Sequence, residues 1–143
     1  MDRFIEADDE RIVVPWQTGG NGALMVLPVD HIGPLPKDAP LLQAHKDALT
    51  AFALAPFGAP MVATASREQT VKLWSLPPFT DKGVVSEHAS EPSVSIVTGM
   101  KRIESLCWHR GAAGILAASG GENVVKVLDA TAGSTAHELT GLL

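Results

Sequence analysis

The sequence predicts an all-β chain assembled from repeated, antiparallel, four-stranded units. Three observations carry this expectation. Residues 45–75 overlie residues 99–129 without gaps at a shift of 54, so the chain holds two copies of one unit. Short runs of β-favouring residues alternate apolar and polar positions with the two-residue period of a strand. Glycine and proline break these runs sooner than a helix of three turns would permit.

From the amino end, Arg11–Trp16 and Ala23–Val29 read as two strands. Between them lies Gln17-Thr18-Gly19-Gly20-Asn21-Gly22, where Asn-Gly supplies the positive φ of a tight hairpin. Residues 31–40, with three prolines, read as a connection. The first copy then gives strands at Leu49–Ala55, Met61–Ser66 and Thr70–Leu76, and the second at Ile103–His109, Ile115–Ser119 and Val124–Asp129. Alternation puts Phe52 and Leu54, or Leu106 and Trp108, on one face. Ser93–Thr98 follows as a fourth strand after a loop from Pro77 to Pro92, and Ala136–Thr140 as a further outer strand. Only Ala59/Ala113, Ala63/Ala117, Glu68/Glu122, Val71/Val125 and Lys72/Lys126 are identical between the copies, so the hydrophobic pattern carries the repeat. The units divide as residues 1–40, 41–92 and 93–143.

Composition narrows the function. Hydrophobic residues make up 45% and charged residues 19% of the 143, which suits a chain that buries a core. Net charge is −5 and the 11 Lys and Arg residues form no basic run, which argues against nucleic acid as a partner. A single cysteine, Cys107, excludes an internal disulfide and fits a reducing compartment. The start, MDRFIEADDER, is not a secretory signal, and no run approaches the roughly 18 apolar residues of a membrane helix. The expectation is a cytoplasmic protein.

No catalytic set is visible: there is no nucleophile–base pair, no paired carboxylates and no metal spacing among His31, His45, His88, His109 and His137. Gly19-Gly20-Asn21-Gly22 lacks the Lys-Ser/Thr of a phosphate loop. Cys107, between Leu106 and Trp108, reads as a buried, inert thiol. Glu6, Asp8, Asp9 and Glu10 read as a solvated loop, and Trp16 and Trp108 as residues packed between units. The chain is expected to be no enzyme, with no cofactor, metal or small-molecule substrate.

The stretch AHKDALTAFALAPFGAPMVATASREQTVKLWSLP resembles a WD repeat. His45 matches the His of the Gly-His pair, Pro56 the proline after the innermost strand, and Trp74 the Trp of Trp-Asp. Ser66, Glu68 and Thr70 match the Ser-x-Asp-x-Thr turn, with Glu in place of Asp. The resemblance implies a partial WD-repeat β-propeller of about two and a half blades of four-stranded antiparallel sheet. It also implies a buried structural tetrad within the blade, in which a His ring bridges a carboxylate to a strand hydroxyl that reaches the Trp indole. Here His45, Glu68, Thr64 or Ser66, and Trp74 would fill the four roles. In the second copy Gly99 and Leu128 replace His and Trp, so that blade must rely on packing.

Arg3-Phe4, RIVVPWQTGGNGALMVLPV, the loop ending at Pro40, His45 and Trp74-Ser75-Leu76-Pro77 follow the order found at the start of a coronin, a resemblance covering residues 3–141. It implies a non-enzymatic, protein-binding scaffold that binds filamentous actin, regulates actin dynamics or membrane traffic, and associates with the cytoskeleton. The alternative is a generic WD-repeat scaffold of another multiprotein complex, without actin binding. Arg3, Lys46, Arg67, Lys72 and Arg102 are candidate basic surface positions for actin binding. A chain of this extent is expected to be part of a longer propeller. Its terminal faces, such as those carrying Leu24 and Val26 or Trp108 and Leu116, would be left open to association.

Overall fold

The computed structural model describes residues 5–18, 21–30, 34, 41–56, 60–76, 92–121 and 123–140, and among them every regular element is a strand. The first sheet runs β1 (Glu6–Ala7), β2 (Arg11–Thr18), β3 (Asn21–Pro28), β4 (Leu42–His45). The second runs β5 (Leu49–Leu54), β6 (Met61–Ser66), β7 (Thr70–Ser75), β8 (Val94–Val97). The third runs β9 (Ile103–Trp108), β10 (Ile115–Gly120), β11 (Val124–Asp129), β12 (Ser134–Thr140). Each is an antiparallel meander of neighbours in sequence, and there are three four-stranded sheets where the sequence suggested about two and a half. The difference arises at the amino end. The stretch read as a solvated acidic loop supplies β1, and Asp8 Oδ1 then accepts from the amides of Glu10 (2.8 Å) and Arg11 (2.7 Å) to turn the chain into β2.

The hairpin joining β2 and β3 also differs from its expected form. Asn21 and Gly22 lie inside β3, paired with Thr18 and Gln17, so the Asn-Gly pair is ladder and not turn. Gly22 answers a different need: a Cβ there would stand 2.6 Å from the carbonyl oxygen of Asp47, so only glycine lets the two backbones approach. The tip at residues 19–20 and the loops read at 31–40 and 77–92 lie outside the described residues, apart from Pro34 and Pro92.

The repeat seen in the sequence is a repeat of hydrogen bonds. Ala55 N donates to Met61 O (2.9 Å) and, 54 positions on, His109 N donates to Ile115 O (2.7 Å). Leu76 N to Pro60 O and Ala130 N to Gly114 O, both 2.7 Å, are a second such pair. Gln69 (φ 65°) and Asn123 (φ 57°) take the left-handed conformation at the same place in the β6–β7 and β10–β11 turns.

Strand alternation gives each sheet two unlike faces, and these faces make the core. Sheet two turns Phe52, Val62, Trp74 and partly buried Leu49 and Leu54 toward sheet one, where they meet Val13, Leu24, Val26, Leu42 and Ala44. Its other face is built mostly of alanine: Ala51, Ala53, Ala55, Ala63 and Ala65, with Val71 and Leu73. Against that shallow face sheet three sets Ile103, Leu106, Trp108, Leu116 and Leu128. A fully buried aliphatic or aromatic side chain is worth about 1.5–3 kcal/mol, so these two seams supply most of the packing energy.

The same geometry corrects three expectations. Leu24, Val26, Trp108 and Leu116 are all buried within the seams, so they are not the open faces. Trp16 is 41% exposed, on the opposite side of sheet one from Val13. Cys107 is exposed. It occupies the position of Ala53, which sheet three covers, but no described residue covers Cys107's face of sheet three.

Candidate functional site

The polar residues singled out by the sequence converge where β4 meets sheet two. β4 ends at His45, the β6–β7 turn carries Glu68, β6 brings Thr64 and β7 brings Trp74. Thr64 is the hub. Its Oγ1 lies 2.8 Å from His45 Nε2 and accepts the indole N–H of Trp74 at 2.9 Å. The hydroxyl and ring are buried, and Trp74 is 1% exposed, so each bond is shielded from competing water. Of the two hydroxyls left open by the sequence, Thr64 joins the His and Trp, while Ser66 Oγ accepts from Glu68 N at 3.1 Å and shapes the turn.

Glu68 does not hydrogen-bond the imidazole. Its Oε1 accepts the amides of Lys46 (2.8 Å) and Asp47 (3.2 Å), which leaves His45 Nδ1 at 3.7 Å without a hydrogen-bond partner. Burial pushes the His45 pKa down to about 4, helped by the nearby Lys72 ammonium and opposed by Glu68. The ring is therefore neutral at pH 7, and its approach to Glu68 is a polar contact and not an ion pair. Partial burial works to raise the Glu68 pKa, but the Asp47 and Lys46 amides and the neighbouring charges outweigh it and hold the carboxyl below its ordinary value.

The network also crosses a boundary that the sequence does not mark. His45 closes the outermost strand of sheet one, whereas Thr64, Glu68 and Trp74 belong to sheet two. The residues expected to brace one blade from within thus tie two sheets together across their seam.

The seam between sheets two and three lacks the histidine, threonine and tryptophan of the first: Ala118 and Leu128 stand where Thr64 and Trp74 do, and Gly99 where His45 does. Leu128 and Ala118 are fully buried and pack without polar partners. A polar bond also crosses this seam, from the Trp108 indole N–H to the carbonyl of Ala53 at 2.9 Å. Strand spacing alone gives no sign of this bond, because its acceptor is backbone.

Of the candidate basic positions, Lys46, Arg67 and Arg102 are exposed, and Arg102 pairs with Glu104 at 2.7 Å. Lys72 is not an open surface cation. Its side chain is 21% exposed, it donates to Ala44 O at 3.3 Å, and it lies 3.8 Å from Glu68 Oε2. Arg3 lies outside the described residues. Among the described residues no three His, Cys, Asp or Glu side chains gather as a metal site would require, and no helix is long and apolar enough to cross a membrane.

No protein-family model matches the chain. The coronin-like protein of Saccharomyces cerevisiae is 24% identical over 91% of this chain, and Coronin-7 of Bos taurus is 33% identical over 77% of it. The chain spans about a fifth of the yeast protein (21%) and 11% of the bovine one. Among solved structures, the WD40 domain of Toxoplasma gondii coronin superposes with a TM-score of 0.85 at 24% identity, over 96% of this chain and 34% of that one. The fold is therefore that of a WD40 propeller, and with these relatives it identifies the chain as a coronin-like WD-repeat segment.

Proposed function

We propose that this segment is a non-enzymatic interaction scaffold that binds filamentous actin in the cytoplasm and takes part in controlling filament turnover. The coronin resemblance supports actin as the partner, and one feature of the fold supports a surface for it. Lys46 lies on the β4–β5 connection and Arg67 on the β6–β7 turn, and Glu68 holds those two segments together through the Lys46 and Asp47 amides. Arg102, on the connection before β9, sits 54 positions beyond Ala48 and so at the same end of the next sheet. Three exposed cations, of which Arg102 also pairs with Glu104, thus lie at the same end of two successive sheets in a chain of net charge −5, an arrangement suited to an acidic filament surface.

Co-sedimentation with filamentous actin tests the proposal. Pelleting should be strongest at low salt and fade as the Debye length contracts below about 10 Å above 0.1 M. Exchanging Lys46, Arg67 and Arg102 together for Glu should abolish it. A chain that stays in the supernatant at every salt concentration would leave the general WD-repeat scaffold as the better reading.

A further inference from the structure

Lys72 and Lys126 are among the five identities between the two copies, and they do the same thing in both. Lys72 Nζ, on β7, donates to the carbonyl of Ala44 on β4, at 3.3 Å. Lys126 Nζ, on β11, donates to the carbonyl of Thr98, the residue that follows β8. Ala44 and Thr98 are themselves 54 apart, so donor and acceptor have both kept their places in the repeat. In each case the third strand of one sheet reaches the outermost strand of the sheet before it or, for Thr98, the residue just past its end. A carboxylate stands beside each ammonium, Glu68 at 3.8 Å and Glu138 at 3.6 Å.

We infer that Lys72 and Lys126 are cross-sheet staples, each pinning its own sheet to the backbone of the preceding outermost strand and so setting the angle at which successive sheets fan apart. The His45, Thr64 and Trp74 positions differ between the two seams. The first has the His45–Thr64–Trp74 chain and the second has Ala118, Leu128 and Gly99. Among the described residues, the lysine contact is the cross-sheet polar contact that the two seams share. Its position gives it leverage. In the second seam the Trp108 indole pins innermost strand β9 to innermost strand β5 through Ala53 O, and Lys126 pins the outer part. One pin permits a hinge, whereas two at opposite ends of a sheet fix its orientation. A lysine suits the outer pin because its flexible apolar stem spans the seam and its ammonium carries three donors, one for the carbonyl and others for the carboxylate.

Competitive acylation of the native 143-residue chain with a small amine-reactive ester, read residue by residue by mass spectrometry, tests the staple directly. Lys72 and Lys126 should react at least about tenfold more slowly than exposed Lys46 and Lys101, with the difference disappearing in denaturant. Equal rates in the native chain overturn the inference. Lys126→Met and Glu138→Gln then separate a cross-sheet staple from a local ion pair. Hydrogen exchange at the Trp108 indole N–H should quicken about tenfold or more in Lys126→Met and stay within about twofold in Glu138→Gln. Equal effects of the two variants would also overturn it, and if Lys126→Met does not fold, the acylation rates of the unmodified chain decide.

Discussion

The two seams of this molecule solve one packing problem with different chemistry. Between sheets one and two, large residues of sheet two meet large residues of sheet one, and a buried hydroxyl joins an imidazole to an indole across the boundary. Between sheets two and three, alanines receive the large side chains of sheet three, and the Trp108 indole bonds a backbone carbonyl. A seam with a buried side-chain network and a seam of large residues packed on alanines can therefore both hold neighbouring sheets together. What differs is vulnerability. The first seam fails if any one polar member is lost, because its partners are then buried without hydrogen bonds, while the second responds mainly to changes of volume.

The largest expected effect follows from that asymmetry. Thr64→Val keeps the shape of the hub but strips its hydroxyl from both Trp74 Nε1 and His45 Nε2. It should lower unfolding free energy by about 2–4 kcal/mol, measured by denaturant titration, because two buried groups lose partners at once. A loss under about 0.5 kcal/mol would mean that the first seam is held by packing, as the second is.

The next effect is a pH dependence confined to the first seam. His45 has a folded pKa of about 4 against an ordinary 6.5, so between these values the unfolded chain binds more protons than the folded one. The contribution is complete above pH 6.5 and is lost as pH falls toward 4, amounting to about 2–3 kcal/mol at 1.36 kcal/mol per pKa unit after allowing for solvent screening. Glu68, whose pKa is also held down, adds a loss at the acid end of this window. Stability curves for the unmodified chain and His45→Asn should converge as pH falls from 7 to about 4.5, and parallel curves would refute the assignment.

The smallest effect tests the second seam. Trp108→Phe removes the indole donor and part of the ring, leaving Ala53 O without its cross-sheet partner, and should cost about 1–2 kcal/mol. If it costs more than Thr64→Val, the ranking of the seams is reversed.

How far the sequence revealed this depended on whether each neighbour lay nearby in the chain. Strands β5 to β7 and β9 to β11 were legible almost residue for residue, because period-two alternation and glycine or proline breaks are local signals. β1 was missed because a two-residue strand of Glu6 and Ala7 has no period to read. Cys107 and Trp16 were misplaced for another reason: alternation tells which face a residue is on but not whether a second sheet covers that face. The residues of the His45 cluster were all found in the sequence, yet their path across a sheet boundary was not, since ownership of β4 by the first sheet depends on a pairing to β3 made across a long connection. Lys72 read as a surface cation because nothing local announces a backbone acceptor 28 residues away.

The unlike faces of sheet two have a consequence for how such a chain can grow. A sheet with bulky side chains on one side and alanines on the other is a tongue-and-groove board: it has a front and a back, and it joins its neighbours in one order only. Tandem duplication of a whole unit delivers a new tongue and a new groove together, so the added board fits both the one before it and the one after. Inverting a unit, or duplicating half of one, sets alanine against alanine or indole against indole and leaves a gap or a clash. The small, unassuming residues at Ala51, Ala53, Ala63 and Ala65 thus act as a direction marker for sheet two.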